Sequence, residues 1–400
     1  MQPPKLASIF LERSGDLPLN IYTPSDLCYE PAHLRRIKTL RLRTSGLDGL
    51  SQVFSRLTVP SPVITEVTID VTGTTYEYFP HLPPLFGDTS TIRSLSLEGI
   101  SFDTTLLRFT SLTSLNLYVP GALFPPFLDL LAANSALESI SISAWGPITV
   151  EKVDGPTITL NNLATLHCRD VSKYLFSRLS PPRNAFIRIE DTGPPLSLSR
   201  SLPTSIANIP HLAQIDSLNL LTTTTNFAYS EQSRDSHKLT LAGCGGPVDI
   251  YWVLGYHGPV ESDPQPLSLD CVKELSITHK TTLERPRASE LDLFPLFNAT
   301  KSLEVLKIHS CLPADCRSIL SPFADTHMCL SLHTVEIVYC HGQSQWLSAL
   351  LPIAAQRRDA GFALRQVIIS PHPSVDSPTQ KYIMELSSVL SNPTDTDTEC

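Results

Sequence analysis

One short pattern, apolar-x-x-apolar-x-apolar, returns along almost the whole chain and limits what it can fold into. It reads Ile37/Leu40/Leu42, Ile64/Val67/Ile69, Ile92/Leu95/Leu97, Leu112/Leu115/Leu117, Leu137/Ile140/Ile142 and Leu163/Leu166/Cys168. Two weaker copies, Asn184/Ile187/Ile189 and Ser236/Leu239/Leu241, lack the first apolar residue, and Ile215/Leu218/Leu220 lies between them. The series closes with Val272/Leu275/Ile277, Leu303/Leu306/Ile308, Leu332/Val335/Ile337 and Leu364/Val367/Ile369. The last two apolar residues of each copy alternate, so they share one face of a short strand. The first reaches the same core from the preceding turn. One copy cannot bury this surface alone, whereas strands stacked side by side bury it as a continuous ladder.

The first anchors run from Ile37 to Leu364 in twelve steps, a mean of about 27 residues. This lies in the range of about 20–29 residues for leucine-rich repeats. The expected fold class is therefore α/β. It is a leucine-rich-repeat-like solenoid, or horseshoe, with a parallel sheet on the concave face and helices and loops on the convex face. Helical spacing marks Leu47 to Leu57, and similar segments run over Phe127 to Leu131, Ser172 to Leu179, Leu291 to Phe297, Cys316 to Phe323 and Trp346 to Ala355. Cys311 and Cys340 stand three residues after Ile308 and Ile337, a slot that turns inward to satisfy backbone groups. The expected organisation is a capping or linker segment over 1–33 and an irregular solenoid of about 13 strands over 34–370. Loop insertions are expected near 221–236 and 243–268, a C-terminal capping helix over 371–391, and a disordered acidic tail over 392–400.

Composition narrows the function. Apolar residues make up 42% and charged residues 17% of the 400, which is a folding rather than a disordered balance. The 34 prolines imply many chain reversals. A net charge of −9, with no basic stripe, argues against nucleic acid as a partner. No apolar run is long enough to span a bilayer, and the N-terminus has no signal-peptide core. The expectation is a cytoplasmic or nuclear protein with no membrane association. Nine cysteines, an odd number without a secretion signal, read as reduced thiols.

The segment Leu11-Glu12-Arg13-Ser14-Gly15-Asp16-Leu17-Pro18-Leu19-Asn20-Ile21 precedes the first repeat, Leu34-Arg35-Arg36-Ile37-Lys38-Thr39-Leu40-Arg41-Leu42. This order resembles F-box/leucine-rich-repeat proteins of mushroom-forming fungi, where an L-x-R-S-x-x-x-P-L segment leads from the F-box helices into a divergent repeat array. The resemblance implies the substrate-recognition region of a ubiquitin-ligase subunit. About ten residues precede Leu11, fewer than an F-box needs. The expectation is thus a repeat region with the F-box missing, from a truncated gene product or a repeat-only relative. A ubiquitin-ligase adaptor is implied as a partner only if the full-length protein carries an F-box.

Three clusters suggest chemistry. His309, Cys311, Cys316, His327, Cys329, Cys340 and His341 are zinc-ligand residue types, but they contain no Cys-x-x-Cys pair. Free thiols are the expectation there, with no metal and no cofactor. Gly243-Cys244-Gly245-Gly246 lacks the flanking residues of a phosphate loop and reads as a turn. No catalytic set stands out at local spacing, so no enzyme is expected. Arg35, Arg36, Lys38, Arg41 and Arg43 form a basic run that is either an anion patch or a solvated first repeat.

Residues flanking the strand apolar positions should line the concave surface. The binding candidates are Arg41, Arg43, Tyr118, His167, Arg169, Arg188, Lys307, His309 and Glu336, with Thr68, Ser96, Ser141 and Asn219 between them. The function expected is a non-catalytic protein–protein interaction module with an unknown partner. The alternatives are an enzyme regulator on a repeat scaffold or a truncated product without independent function.

Overall fold

The computed structural model describes residues 9, 11–24, 33, 35–44, 54, 57, 60–71, 89–100, 107–120, 124–145, 155–191, 215–226, 233–243, 248–254, 269–281, 293–311, 319–340, 343–370 and 377–390. Two compact units divide the chain, Met1–Phe186 and Ile187–Cys400. Both are mixed α/β with large, mostly parallel sheets.

In the first unit the strands are β1 (Leu19–Pro24), β2 (Ile37–Thr44), β3 (Glu66–Val71), β4 (Ser94–Glu98), β5 (Ser114–Pro120), β6 (Ser139–Trp145) and β8 (Thr165–Arg169). They lie side by side in chain order, each parallel to the next. Two short strands, β7 (Ile158–Thr159) and β9 (Leu179–Ser180), form a separate parallel pair. Helices α1 (Phe124–Ala133) and α2 (Ser172–Leu175) lie between strands in the chain. Leu19–Pro24, expected within a cap or linker, is a strand, so the sheet begins before the first repeat copy.

The sequence pattern maps directly onto hydrogen bonds. Four anchors close a turn by donating the N–H to the carbonyl three residues earlier: Ile64 to Ser61 (3.3 Å), Ile92 to Thr89 (3.1 Å), Leu137 to Asn134 (3.2 Å) and Leu163 to Leu160 (3.1 Å). The next residue donates to the same position one repeat back: Arg93 to Thr65, Thr113 to Arg93, Glu138 to Thr113 and Ala164 to Glu138, all at 2.8 Å. These bonds fix the register, so Leu40, Val67, Leu95, Leu115, Ile140 and Leu166 stack in one row. All six are at most 1% exposed. Burying such a side chain stabilises the fold by about 1.5–3 kcal/mol.

The position three residues before the anchor carries a second signal, which reading for apolar residues alone passes over. It holds buried polar side chains at Ser61, Thr89, Asn134 and, in the second unit, Thr300. Ser61 Oγ donates to Ile37 O (3.1 Å) and Thr89 Oγ1 to Arg108 O (2.7 Å). Asn134 does the most. Its Nδ2 donates to Phe109 O (2.6 Å) and Leu130 O (2.9 Å), and its Oδ1 accepts from Leu112 N–H (2.8 Å). One side chain thus caps α1 and ties it to the preceding turn, where water cannot reach the backbone groups.

The second unit contains β10 (Phe186–Asp191), β11 (Ile215–Asn226), β12 (Ser233–Gly243), β13 (Val248–Leu254), β14 (Glu274–Thr281), β15 (Val305–His309), β16 (Thr334–Val338) and β17 (Gln366–Ser370). Their spatial order is β10-β13-β12-β11-β14-β15-β16-β17. From β11 through β14 to β17 every pair is parallel. β12, however, runs antiparallel to both β11 and β13. This corrects two expectations. Residues 221–226, 233–236 and 248–254 are strand rather than loop insertion, and the Ser236/Leu239/Leu241 copy is no step of a parallel ladder. Only six residues separate β11 from β12, and four separate β12 from β13. Connections that short join antiparallel strands, since a parallel crossover needs about a dozen residues or more.

Between the strands lie α3 (Phe294–Ala299), a 3-10 turn at Ser321–Ala324, α4 (Gln343–Asp359) and α5 (Ser377–Leu390). α5, the expected capping helix, packs against α4. The expected helix over 47–57 lies outside the described residues except for Phe54 and Leu57, which are both buried. The tail 392–400 and residues 227–232, 244–247 and 255–268 also lie outside.

Arg357 on α4 is fully buried and donates to the carbonyls of Met328 (2.9 Å), Cys329 (2.9 Å) and Leu332 (3.4 Å). It therefore closes the turn before β16. Burial pushes its pKa down.

Parallel strands end in a sharp turn. Gly99, Asp170, Ser310 and Tyr339 all have positive φ, each two residues after the last inward apolar side chain. The residue that follows each is buried: Ile100, Val171, Cys311 and Cys340. At Gly99 the turn demands glycine, because an added Cβ would lie 2.2 Å from Val71 O.

Candidate functional site

Alternation along each strand puts the apolar set inside and leaves the intervening side chains on the opposite face. In the first unit one rung of that face reads Arg41, Thr68, Ser96, Asn116, Ser141 and His167, in direct register. The rung beside it includes Arg43, Asp70 and Glu98 at one side and Tyr118, Ser143 and Arg169 at the other. The expected first-unit candidates therefore do share a face. Thr68, Ser96, Ser141, Tyr118 and His167 are half-buried, and Arg41, Arg43 and Arg169 are exposed.

The arginines are not bare. Arg41 donates to Glu66 Oε1 through Nη2 (2.6 Å) and Nε (3.1 Å), and its guanidinium lies 5.2 Å from the centre of the Tyr22 ring. The hydrogen bond to Glu66 holds the Arg41 pKa above its ordinary value. Arg43 pairs with Asp70 (3.2 Å), and Arg169 stands 3.9 Å from Asp170. Arg41 and Arg43 of the basic run thus have acidic partners on the neighbouring strand. Reading one repeat at a time misses Glu66 and Asp70. The signal that reveals them is opposite charge at matching positions of successive repeats.

In the second unit the corresponding rung reads Arg188, Asp249, Thr240, Asn219, Ser276, Lys307, Glu336 and Ile368. Arg188 Nε donates to Glu190 on its own strand (2.9 Å). Lys307 Nζ lies 2.8 Å from Glu274 Oε2, a hydrogen bond that raises the lysine pKa. His309 sits beside these groups on β15. Burial lowers its pKa, with Glu336 opposing, so its imidazole is held neutral to lower pH than an exposed histidine. Asn219 is exposed, and Glu336 is half-buried beside Lys307. Asn116, Ser276 and Glu274 belong to the face as fully as the expected residues.

The cysteine-rich region resolves into packing. Cys311 Sγ donates to His309 O (3.4 Å), Cys340 Sγ to Ile308 O (3.4 Å) and Cys329 Sγ to Phe297 O (3.4 Å). All three are buried, and desolvation pushes the Cys329 thiol up to about 11. Among the described residues, no three His, Cys, Asp or Glu side chains form a group that could hold a metal ion. Cys316, His341 and the Cys244 turn lie outside those residues. No helix among the described residues is long and apolar enough to cross a membrane. No protein-family model matches the chain, and no curated protein matches it.

Proposed function

We propose that the chain is a non-catalytic protein-interaction module built on a leucine-rich-repeat-like solenoid. On this reading it is similar to the substrate-recognition region of an F-box ubiquitin-ligase subunit and acts without a cofactor. One observation carries the reading: outward side chains, most of them polar, stand in register strand after strand, on strands whose other face is largely buried in the core. Strands about 4.8 Å apart present these side chains at the spacing of an extended protein surface. Ion pairs such as Lys307–Glu274 hold long side chains in place before a partner arrives, which lowers the ordering cost of binding.

The test is affinity capture with the full chain as bait, using paired charge reversals. Lys307→Glu and Arg188→Glu alter the strand face, and Arg358→Glu alters helix α4. The expected result is a partner lost with the strand-face changes and retained with the helix change. Loss with the helix change alone refutes the assignment of the binding face. A ubiquitin-ligase adaptor should be captured only when an F-box segment is joined to the chain.

A further inference from the structure

Among the described residues, the last strand of the second unit has one unpaired side, since β17 pairs with β16 alone. Gln366 N–H donates to His333 O (3.1 Å), and Ser370 O accepts from Tyr339 N–H (3.3 Å). Gln366 and Ser370 thus turn their backbone groups toward β16, and alternation makes Ile368 do the same. Val367 and Ile369 turn theirs outward. Among the described residues no hydrogen bond reaches those two N–H and two C=O groups.

Exposed edges are usually blunted by charge, proline or a bulge. This one reads Gln-Val-Ile-Ile-Ser, with no charge and no proline, and its register on β16 is unbroken. Its apolar side chains are also unfinished. Val367 and Ile369 are half-exposed, whereas Val335 and Ile337, their register partners on β16, are each 1% exposed. Ile368 puts a third half-exposed apolar side chain on the opposite face, where other strands of the rung carry polar groups.

We propose that this edge pairs with the same edge of a second copy of the chain, antiparallel, about a two-fold axis through Ile368. The strand is self-complementary in that arrangement. Val367 of one copy faces Ile369 of the other, and Ile369 faces Val367. Each facing pair exchanges two hydrogen bonds, so four bonds use every outward group on both copies. Ile368 meets its own copy across the axis as a non-hydrogen-bonded pair, with Cβ atoms about 4.5–5.5 Å apart. Arg365 lies three residues from the axis, so no two arginines meet. The contact is isologous and closes at two copies instead of growing into a fibre. Five residues of edge bury less than the roughly 1,200 Å² of a stable interface, so the dimer is weak and depends on concentration. This inference concerns the strand edge rather than the polar face and does not rest on the partner-binding reading.

The experiment is sedimentation equilibrium of the full chain from about 1 to about 500 µM, where weak interfaces of this size populate. The weight-average mass should rise from monomer toward dimer. Ile368→Lys places two like charges opposite each other, and Val367→Pro deletes an outward N–H that makes no bond among the described residues. Each should weaken association at least about tenfold and leave the melting curve unchanged. In a Cys271→Ser background, which removes an exposed thiol, Ile368→Cys should give a disulfide-linked dimer under mild oxidation. Ser276→Cys, on the same rung but three strands away, should not. A chain that stays monomeric throughout overturns the proposal, as does a dimer indifferent to Ile368→Lys or cross-linking by Ser276→Cys equal to that by Ile368→Cys.

Discussion

Replacing Asn134 by leucine keeps the number of side-chain heavy atoms and deletes three hydrogen bonds at once. Asn134 is 1% exposed, and the backbone groups it serves belong to Phe109, Leu112 and Leu130, which are at most 3% exposed. After the change those groups have neither the amide nor water. At about 1 kcal/mol net per bond the loss is about 3 kcal/mol, and incomplete relaxation would increase it. For a unit of this size that lowers the melting temperature by roughly 6–12 °C. Circular dichroism of thermal and urea unfolding measures it, with exposed Ser135→Ala as the neutral control. Asn134→Asp separates hydrogen bonding from packing. The carboxylate still accepts from Leu112 N–H but faces two carbonyls it cannot donate to, so it should be at least as damaging at neutral pH. Lowering the pH to protonate it should recover part of the loss. An Asn134→Leu protein within about 0.5 kcal/mol of the unsubstituted chain, the usual effect of a surface change, refutes this reasoning.

Other turns of the fold give further outcomes. Cys329 has its folded pKa raised from 9.0 to about 11 by burial, so its contribution is complete below pH 9 and is lost as pH rises through about 11. That loss is worth about 2–3 kcal/mol, and Cys329→Ala should flatten this part of the stability–pH curve; an equal slope in the variant contradicts the assignment. At pH 8, iodoacetamide should label exposed Cys271 well before Cys329. Gly99→Ala combines a positive φ of 68° with a Cβ 2.2 Å from Val71 O, and should destabilise the first unit by about 2 kcal/mol or more in urea unfolding. Asp170→Ala, at the equivalent turn, should cost clearly less, and equal losses would show that backbone strain alone is at work.

Much of the sheet was legible because the apolar pattern and the hydrogen-bond ladder have the same period. Ile64, Ile92, Leu137 and Leu163 close the turns that their spacing implies, and at Leu112 the Asn134 side chain takes the N–H instead. Cys311 and Cys340 fill the inward slot expected of them. The candidate face was legible in part: alternation placed Arg41 with His167 in the first unit and Lys307 with Glu336 in the second but said nothing of Glu66 or Glu274. Those residues matter through register between repeats, which one strand does not contain.

The sequence by itself determined which side chains go inside and where each turn falls, because alternation and the three-residue spacing to the anchor are local properties of the chain. Only the tertiary structure decided strand direction and pairing. Leu239 and Leu241 alternate as well as any repeat copy, yet β12 runs antiparallel, since alternation is the same read from either end and the short links to β11 and β13 decide the hand. Likewise Asn134 and Arg357 are an ordinary polar and an ordinary charged residue in sequence. They become structural ties only where folding buries carbonyls of another turn within their reach.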